Sequence, residues 1–220
     1  MRVPEGVPVA LYQHFIKRIF DFLIALLALP FVLIVITVAG IFIYREDRGP
    51  IFYNALRVGR NGNLFKMYKL RSMYVDAPDI RLADGSTYNG EDDPRVTKAG
   101  RFLRQTSIDE LPQLLNVLKG DMSLIGPRPD PLDWLERYPE EYRGFLAVRP
   151  GITGYSQAYF RNSADGEEKM RNDLYYAENL SFVMDVKILL KTIQVVLHRE
   201  NLYKEAEADA AQQAQELVKK

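Results

Sequence analysis

Phe22-Leu23-Ile24-Ala25-Leu26-Leu27-Ala28-Leu29-Pro30-Phe31-Val32-Leu33-Ile34-Val35-Ile36-Thr37-Val38-Ala39-Gly40-Ile41-Phe42-Ile43-Tyr44 carries no charge and is built mostly of Leu, Ile, Val, Phe and Ala. As a helix at ~1.5 Å per residue this stretch would be about 35 Å long, enough to cross a hydrocarbon core of ~30 Å. A signal peptide has a shorter apolar region and a small-residue cleavage site, and neither is seen. Helices buried in soluble cores seldom run this long without a charge, so the stretch reads as a membrane helix. Lys17 and Arg18 precede it, and Arg45, Arg48, Arg57 and Arg60 follow it. Positive charge favours the cytoplasmic side, and a straight crossing would put one basic cluster outside. A kinked hairpin that enters and leaves on the same face satisfies both flanks. Pro30 removes one backbone hydrogen bond in mid-run and is the expected hinge.

Outward from this anchor, Ile51–Gly59 and Leu64–Met73 are strand-like runs joined by Arg60-Asn61-Gly62-Asn63. Asn-Gly between such runs predicts a β-hairpin, because both residues tolerate positive φ. Residues 76–94, rich in Asp, Gly, Pro and Asn, read as a mobile loop. A helix is expected over Thr97–Gln105 and another from Ser107. Gly126-Pro127-Arg128-Pro129 reads as a rigid, extended break. Short helices are expected around Pro131–Tyr138 and Glu140–Ala147, and Arg149-Pro150-Gly151-Ile152-Thr153-Gly154 as a second loop, its glycines serving turn geometry. Phe182–Leu197 is amphipathic: Val183, Val186, Leu190, Ile193 and Leu197 fall on one face, which packs on a core or lies in a membrane interface, core packing being preferred. The tail from Glu205 is helix-prone and polar.

The composition narrows the chemistry. Zero formal net charge argues against a nucleic-acid binder that relies on general phosphate attraction. The absence of cysteine excludes disulfides, thiolate nucleophiles and Cys-ligated metals. The only histidines, His14 and His198, stand before the anchor and near the end of the last predicted helix. Catalysis should therefore run on carboxylates, basic side chains and a bound cation.

Such a site is suggested by Ser107-Ile108-Asp109-Glu110-Leu111-Pro112-Gln113-Leu114-Leu115. The structural reading is a capping box, with Ser107 as N-cap and Glu110 three residues on. The surroundings favour chemistry. Arg101 and Arg104 lie just upstream, and Arg128 and Arg149 stand in proline-stiffened loops; guanidinium groups bind phosphate oxygens in bidentate fashion. Two adjacent carboxylates would repel a pyrophosphate, and a divalent cation such as Mg²⁺, or Mn²⁺, would offset the repulsion by bridging them. A carboxylate can also attack phosphorus itself. Lys66, Lys69 and Arg71 are substrate contacts, the solvated face of a strand, or contacts to anionic lipid head groups.

Phe65-Lys66-Met67-Tyr68-Lys69-Leu70-Arg71-Ser72-Met73 resembles the F-K-x-x-K-x-R-[ST]-M run of the bacterial sugar transferases. Asp93-Pro94-Arg95, Gly100-Arg101-Phe102-Leu103-Arg104 and Ser107 to Gln113 are similar too. So are Asn116-Val117-Leu118-Lys119-Gly120-Asp121-Met122-Ser123, Gly126 to Pro129, Arg149 to Gly154 and Tyr175-Tyr176, all in the family's order between about Phe15 and Tyr203. The chain resembles the family's minimal, single-anchor form. Where members commonly carry Ser-Pro at the helix break, this chain has Leu29-Pro30, and Leu cannot bond the carbonyl that the proline leaves unpaired.

The resemblance implies a mainly α fold with a small β-hairpin (α+β): a re-entrant membrane helix in residues 1–48, a catalytic domain with amphipathic helices over 49–203 on the cytoplasmic face of the bacterial inner membrane, and a polar tail over 204–220. It implies a Mg²⁺-dependent, two-step transfer of sugar 1-phosphate from a UDP-sugar to polyprenyl (undecaprenyl) phosphate, with release of UMP. Asp109 corresponds to the nucleophile, and Glu110 to a partner that helps hold the metal or deprotonates the acceptor. Lys69, Arg71, Arg104, Arg128 and Arg149 are the expected phosphate contacts; Tyr175 and Tyr176 are expected to pack. Membrane lipids are expected partners, nucleic acid is not, and homo-oligomerisation is left open. Two other classes stay in view: a membrane-bound nucleotide-sugar hydrolase, and a non-catalytic adaptor of glycan assembly whose carboxylates merely cap a helix. No stretch reads as a pocket for one particular hexose.

Overall fold

The computed structural model describes residues 11–81, 88–90, 93–160 and 164–198. The polar tail and parts of the loops read above lie outside the described residues. The fold is mostly helical, with two small two-stranded sheets.

A π-helical turn over Tyr12–Ile16 leads into helix α1, Lys17–Asp47. At ~1.5 Å per residue, α1 is about 46 Å long. The helix continues without a break through Pro30, so the expected hinge does not divide it into two helices. One face, formed by Ala25, Val32, Ile36, Ala39 and Ile43, is buried in a core shared with Leu70, Leu103, Leu114, Val117 and Met122. The small residues on that face let the domain approach closely: a Cβ at Gly40 would stand 3.2 Å from Ile51. The opposite face, including Leu27, Phe31, Ile34 and Phe42, is exposed.

Both ends of α1 are fastened to the same domain by polar contacts. At the start, Lys17 Nζ lies 2.7 Å from Asp185 Oδ2, and Asp21 accepts from Ser123 Oγ (2.6 Å) and Leu124 N (3.1 Å). Arg18 donates to the carbonyls of Val117 and Leu118 in the last turn of the helix that ends at Lys119. At the far end, Glu46 accepts from Lys98 N (2.6 Å) and Ala99 N (2.9 Å), and Asp47 meets the Arg71 guanidinium with both oxygens.

The predicted hairpin forms. Strands β1, Ala55–Val58, and β2, Leu64–Met67, pair antiparallel from Ala55↔Met67 to Val58↔Leu64. Asn61 and Gly62 turn the chain with φ of 58° and 77°. Helix α2, Lys98–Thr106, is capped by Thr97, whose hydroxyl accepts from Gly100 N at 2.8 Å. Glu46 takes two more of the donors at this helix start.

Ser107 does not cap a following helix. With φ 57° it is the left-handed residue that ends α2; the next turn, Ile108–Glu110, is 3₁₀, and helix α3, Gln113–Lys119, begins only after Pro112. The capping box therefore does not form, and the dyad stands ahead of a short helix rather than inside its first turn.

Two three-residue strands, β3 (Ser123–Ile125) and β4 (Gly151–Thr153), pair in parallel, the second where a loop was expected. Gly126, Gly151 and Gly154 serve this approach and not a turn: a Cβ at Gly151 would lie 2.1 Å from Gly126 N, and one at Gly154 2.1 Å from Gly126 O. The helices read around Pro131–Tyr138 and Glu140–Ala147 appear as 3₁₀ turns over Leu132–Trp134 and Arg143–Ala147. Helices α4 (Tyr155–Tyr159), α5 (Gly166–Glu178) and α6 (Phe182–His198) complete the domain.

The apolar stripe of α6 faces away from the core. Val183, Val186, Leu190, Ile193 and Leu197 are exposed, whereas Asp185, Ile188 and Val195 are buried. Polar contacts fix this orientation: Asp185 accepts from Tyr12, Lys17 and Tyr176, and Thr192 bonds Thr153. The preference for core packing of that stripe is thereby overturned. Tyr176 packs as expected, and Tyr175 is half-exposed with its ring against Tyr155.

Of the 76–94 segment, Ile80, Tyr88 and Asp93 are buried around Arg95. Asp93 receives two guanidinium bonds (2.8 and 2.9 Å), and the carbonyls of Pro78 and Tyr88 accept the others. This part of the segment is packed instead of loose.

Candidate active site

Three separate pieces of chain meet at Asp109 and Glu110. The first is the continuation of β2. Asn116, fully buried on α3, acts as a substitute strand partner: its side chain accepts from Tyr68 N (2.9 Å) and donates to the Lys66 carbonyl (2.8 Å). Two residues on, Leu70 N donates to the Asp109 carbonyl at 2.9 Å. Between these fixed points Lys69 places its ammonium 2.9 Å from Asp109 Oδ2 and 3.5 Å from Glu110 Oε1. The sequence reading gave Asn116 no role. Its signal was an amide in the apolar run of α3, a position that must be hydrogen-bonded if buried.

The second piece is the Gly-Pro-Arg-Pro segment. Arg128 forks onto Glu110, NH2 to Oε1 at 2.7 Å and NH1 to Oε2 at 3.2 Å. The third is the 3₁₀ turn, which buries Asp109 almost completely and leaves Glu110 partly accessible. Burial would push the Glu110 carboxyl up; the charges of Arg128 and Lys69, and hydrogen bonds from both, instead bring it down to about 2 from 4.5. A depressed carboxyl stabilises the fold fully above its ordinary value, here 4.5, and that contribution is lost only as pH falls through about 2. Glu110 is thus an anion at any working pH, the state required of a metal ligand or an acceptor of a guanidinium fork.

The other predicted contacts lie elsewhere. Arg71 is buried, its guanidinium committed to Asp47 and to the carbonyls of Pro50 (2.6 Å) and Met73 (3.0 Å). It fastens α1 to the domain. Arg104 donates to Ser72 Oγ (2.9 Å) and Asn89 Oδ1 (3.2 Å), and Arg101 is exposed on α2. Arg149 donates to the Gly120 carbonyl at 3.1 Å and lines a recess with Lys17, Arg18 and Asp21. Burial and the nearby charges of Arg18 and Arg60 push its guanidinium down from the usual value. Of the five expected phosphate contacts, Lys69 and Arg128 touch the dyad. His14 meets Arg60 (3.2 Å) and His198 the Gln194 carbonyl (2.8 Å).

No cluster of three or more His, Cys, Asp or Glu side chains occurs among the described residues. Mg²⁺ commonly takes one or two carboxylates and completes its shell with water and substrate phosphate. Asp109 and Glu110 fit that pattern as a donor pair shared with a phosphate, and not as a closed protein cage.

A mostly helical domain, laid against a long apolar helix and presenting two carboxylates held by a lysine and an arginine, defines a membrane-associated protein with an anion-handling site. The chain matches the family described as bacterial sugar transferase over residues 12–199, and it belongs to that family. It is 43% identical over 198 residues to the galactosyl transferase CpsE of Streptococcus agalactiae serotype III (strain NEM316), covering 84% of this chain and 43% of that protein. It is 41% identical over 205 residues to the undecaprenyl-phosphate galactose phosphotransferase of Salmonella typhimurium (strain LT2), covering 87% and 42%. The uncharacterized sugar transferase EpsL of Bacillus subtilis (strain 168) is 42% identical over 189 residues, covering 85% and 90%. The chain thus spans less than half the length of the first two relatives and nine tenths of the third.

The fork geometry gives a test. Arg128→Lys keeps the charge but loses the planar two-pronged contact, so transfer activity should fall at least ~10-fold with the melting temperature little changed. Wild-type kinetics in Arg128→Lys would reduce the residue to scaffold.

Proposed function

We propose that this protein is a phosphoglycosyl transferase that moves sugar 1-phosphate from a UDP-sugar to polyprenyl (undecaprenyl) phosphate at the cytoplasmic face of the bacterial inner membrane. The observation that carries the reading is the dyad itself, a buried Asp109 and an ionised Glu110 between Lys69 and Arg128, on a domain fastened to both ends of an apolar helix. Relatives whose names specify undecaprenyl-phosphate galactose, glucose and N-acetylgalactosamine phosphotransferases support the reaction class. The transferase unit corresponds to residues 49–203 and the anchor to 1–48.

In the first half-reaction an Asp109 carboxylate oxygen attacks the β-phosphorus of the UDP-sugar. The bond from that phosphorus to the bridging oxygen breaks, UMP leaves with the electron pair, and Asp109 carries the phosphosugar. In the second, a phosphate oxygen of the polyprenyl phosphate attacks the same phosphorus, the acyl-phosphate bond breaks, and the carboxylate is restored. Lys69, released from Asp109 as that oxygen forms its bond to phosphorus, turns its ammonium to the phosphate oxygens. Arg128, held on Glu110 by its fork, turns its remaining N–H groups to the same oxygens and stabilises their charge as the pyrophosphate bond breaks. Glu110 orients Arg128, and with Asp109 it would hold a divalent ion. Mg²⁺ or Mn²⁺ bound there would neutralise pyrophosphate charge and aid departure of UMP.

The anchor is read as re-entrant, with both ends of α1 on the cytoplasmic side. Contacts of Lys17 and Asp21, and of Glu46 and Asp47, with the same domain support this, because a helix crossing straight through the bilayer would carry one end away from it. The exposed apolar stripe of α6 fits the same membrane surface.

The reaction is tested by a screen of UDP-sugars for continuous UMP release. Turnover should require undecaprenyl phosphate, stop in excess chelator and return with Mg²⁺ or Mn²⁺. Sustained release without the lipid would make the protein a hydrolase, full turnover in chelator would remove the metal, and no release with any donor would favour an adaptor.

Topology is tested on this cysteine-free chain with Ala10→Cys and Arg45→Cys. Neither should react with an impermeant thiol reagent in intact cells, and both should react after the membrane is opened. Labelling of one position only in intact cells would establish a full crossing.

A further inference from the structure

Arg128 lies in a segment, residues 126–130, that no helix or strand holds. Pro127 and Pro129 fix two φ angles but also remove two backbone donors, so the segment has few means of pinning itself. Part of its restraint comes from neighbouring backbone: Gly151 N donates to the Pro127 carbonyl (2.9 Å), and Val58 N to the Asp130 carbonyl (3.0 Å). Gly126 N donates to the Thr153 carbonyl (2.8 Å), and further restraint comes from a side chain on α5.

Lys169 Nζ meets three acceptors: Asp130 Oδ2 at 2.8 Å, Asp173 Oδ2 at 2.9 Å and, more weakly, the Arg128 carbonyl at 3.4 Å. An ammonium has three protons to donate, and each has an acceptor here. Asp130 Oδ2 also accepts from Tyr138 OH at 2.9 Å. Lys169 is held in turn by Asp173, one helical turn further along α5 and almost wholly buried. A continuous polar chain therefore runs from α5 to the dyad: Asp173, Lys169, the backbone and Asp130 on either side of Pro129, the Arg128 fork, Glu110.

We propose that Lys169, anchored by Asp173, is a positioning residue for Arg128. It fixes the Arg128–Asp130 backbone so that the guanidinium meets Glu110 and the substrate phosphate edge-on. Lys169 touches neither substrate nor dyad; it acts through the segment it clamps. A fork requires tighter aim than a point charge, because both of its hydrogen bonds must form at once. The inference rests on the phosphate-gripping role given to Arg128 above.

A double-mutant cycle tests it, with kcat and the donor KM measured for the wild type, Lys169→Met, Arg128→Lys and the double variant. Lys169→Met should lower kcat by about tenfold and change the donor KM less than twofold. In the Arg128→Lys background, where the fork is already absent, the same change should cost less than about twofold. An equal loss in both backgrounds, or no loss in either, would overturn the positioning role while leaving Arg128 as a phosphate contact. Unaltered activity in Arg128→Lys alone would instead remove that contact, and the positioning role with it. Because Lys169→Met leaves two carboxylates without their cation, the cycle is run equally with Lys169→Met/Asp173→Asn, which relieves that excess charge. The same outcomes decide in either series.

Discussion

Two neighbouring carboxylates in a largely dry site repel each other, and nearby cations offset that repulsion. Lys69 and Arg128 supply them, and the architecture converges to bring them there. Lys69 arrives from the hairpin, located by Asn116 and by the bond from Leu70 N to the Asp109 carbonyl. Arg128 arrives from a segment wedged between β3 and the 3₁₀ turns, where Gly126 and Gly151 approach too closely for any Cβ. Left-handed Ser107 ends α2 abruptly enough for Asp109 to turn inward. For Glu110, burial alone would push the carboxyl up, and the charges of Arg128 and Lys69 hold it down.

The long apolar helix serves the same end. Its small inward residues let the domain sit flush against it, and its charged ends are used as fasteners: Arg18 on the end of α3, Glu46 on the start of α2, Asp47 on Arg71. In the proposed reaction this makes the membrane surface and the dyad parts of one rigid unit. The outward stripe of α6, beside the start of α1 through the Phe20–Phe182 ring contact, extends the apolar surface in the same neighbourhood.

Features fixed by local chemistry could be read from the sequence. The hairpin follows from Asn61-Gly62, the start of α2 from Thr97 and the apolar helix from its uncharged length. Arg128 was expected as a phosphate contact because of its rigid setting between prolines; its fork onto Glu110 was not read. What was illegible depends on partners remote in the chain. Arg71 and Lys69 are two residues apart on one extended segment, yet one is spent on Asp47 and the other on Asp109. Ser107-x-x-Glu110 has the spelling of a capping box, but Ser107 is used to stop the preceding helix. The amphipathic pattern of α6 gave the right helix and the wrong inward face, because buried Asp185 and part-buried Thr192 are polar residues satisfied by Lys17, Tyr12, Tyr176 and Thr153. Three-residue strands such as β3 and β4 are too short for a periodicity to register.

The nucleophilic role of Asp109 is the centre of the account, and intact-protein mass spectrometry tests it most directly. Enzyme mixed with a UDP-sugar alone, without lipid acceptor, should release up to one equivalent of UMP and gain the mass of one sugar phosphate. Asp109→Asn should do neither. A wild-type enzyme that shows neither burst nor adduct, yet turns over once undecaprenyl phosphate is added, would contradict the covalent mechanism and leave Asp109 as a metal ligand or base in a direct displacement.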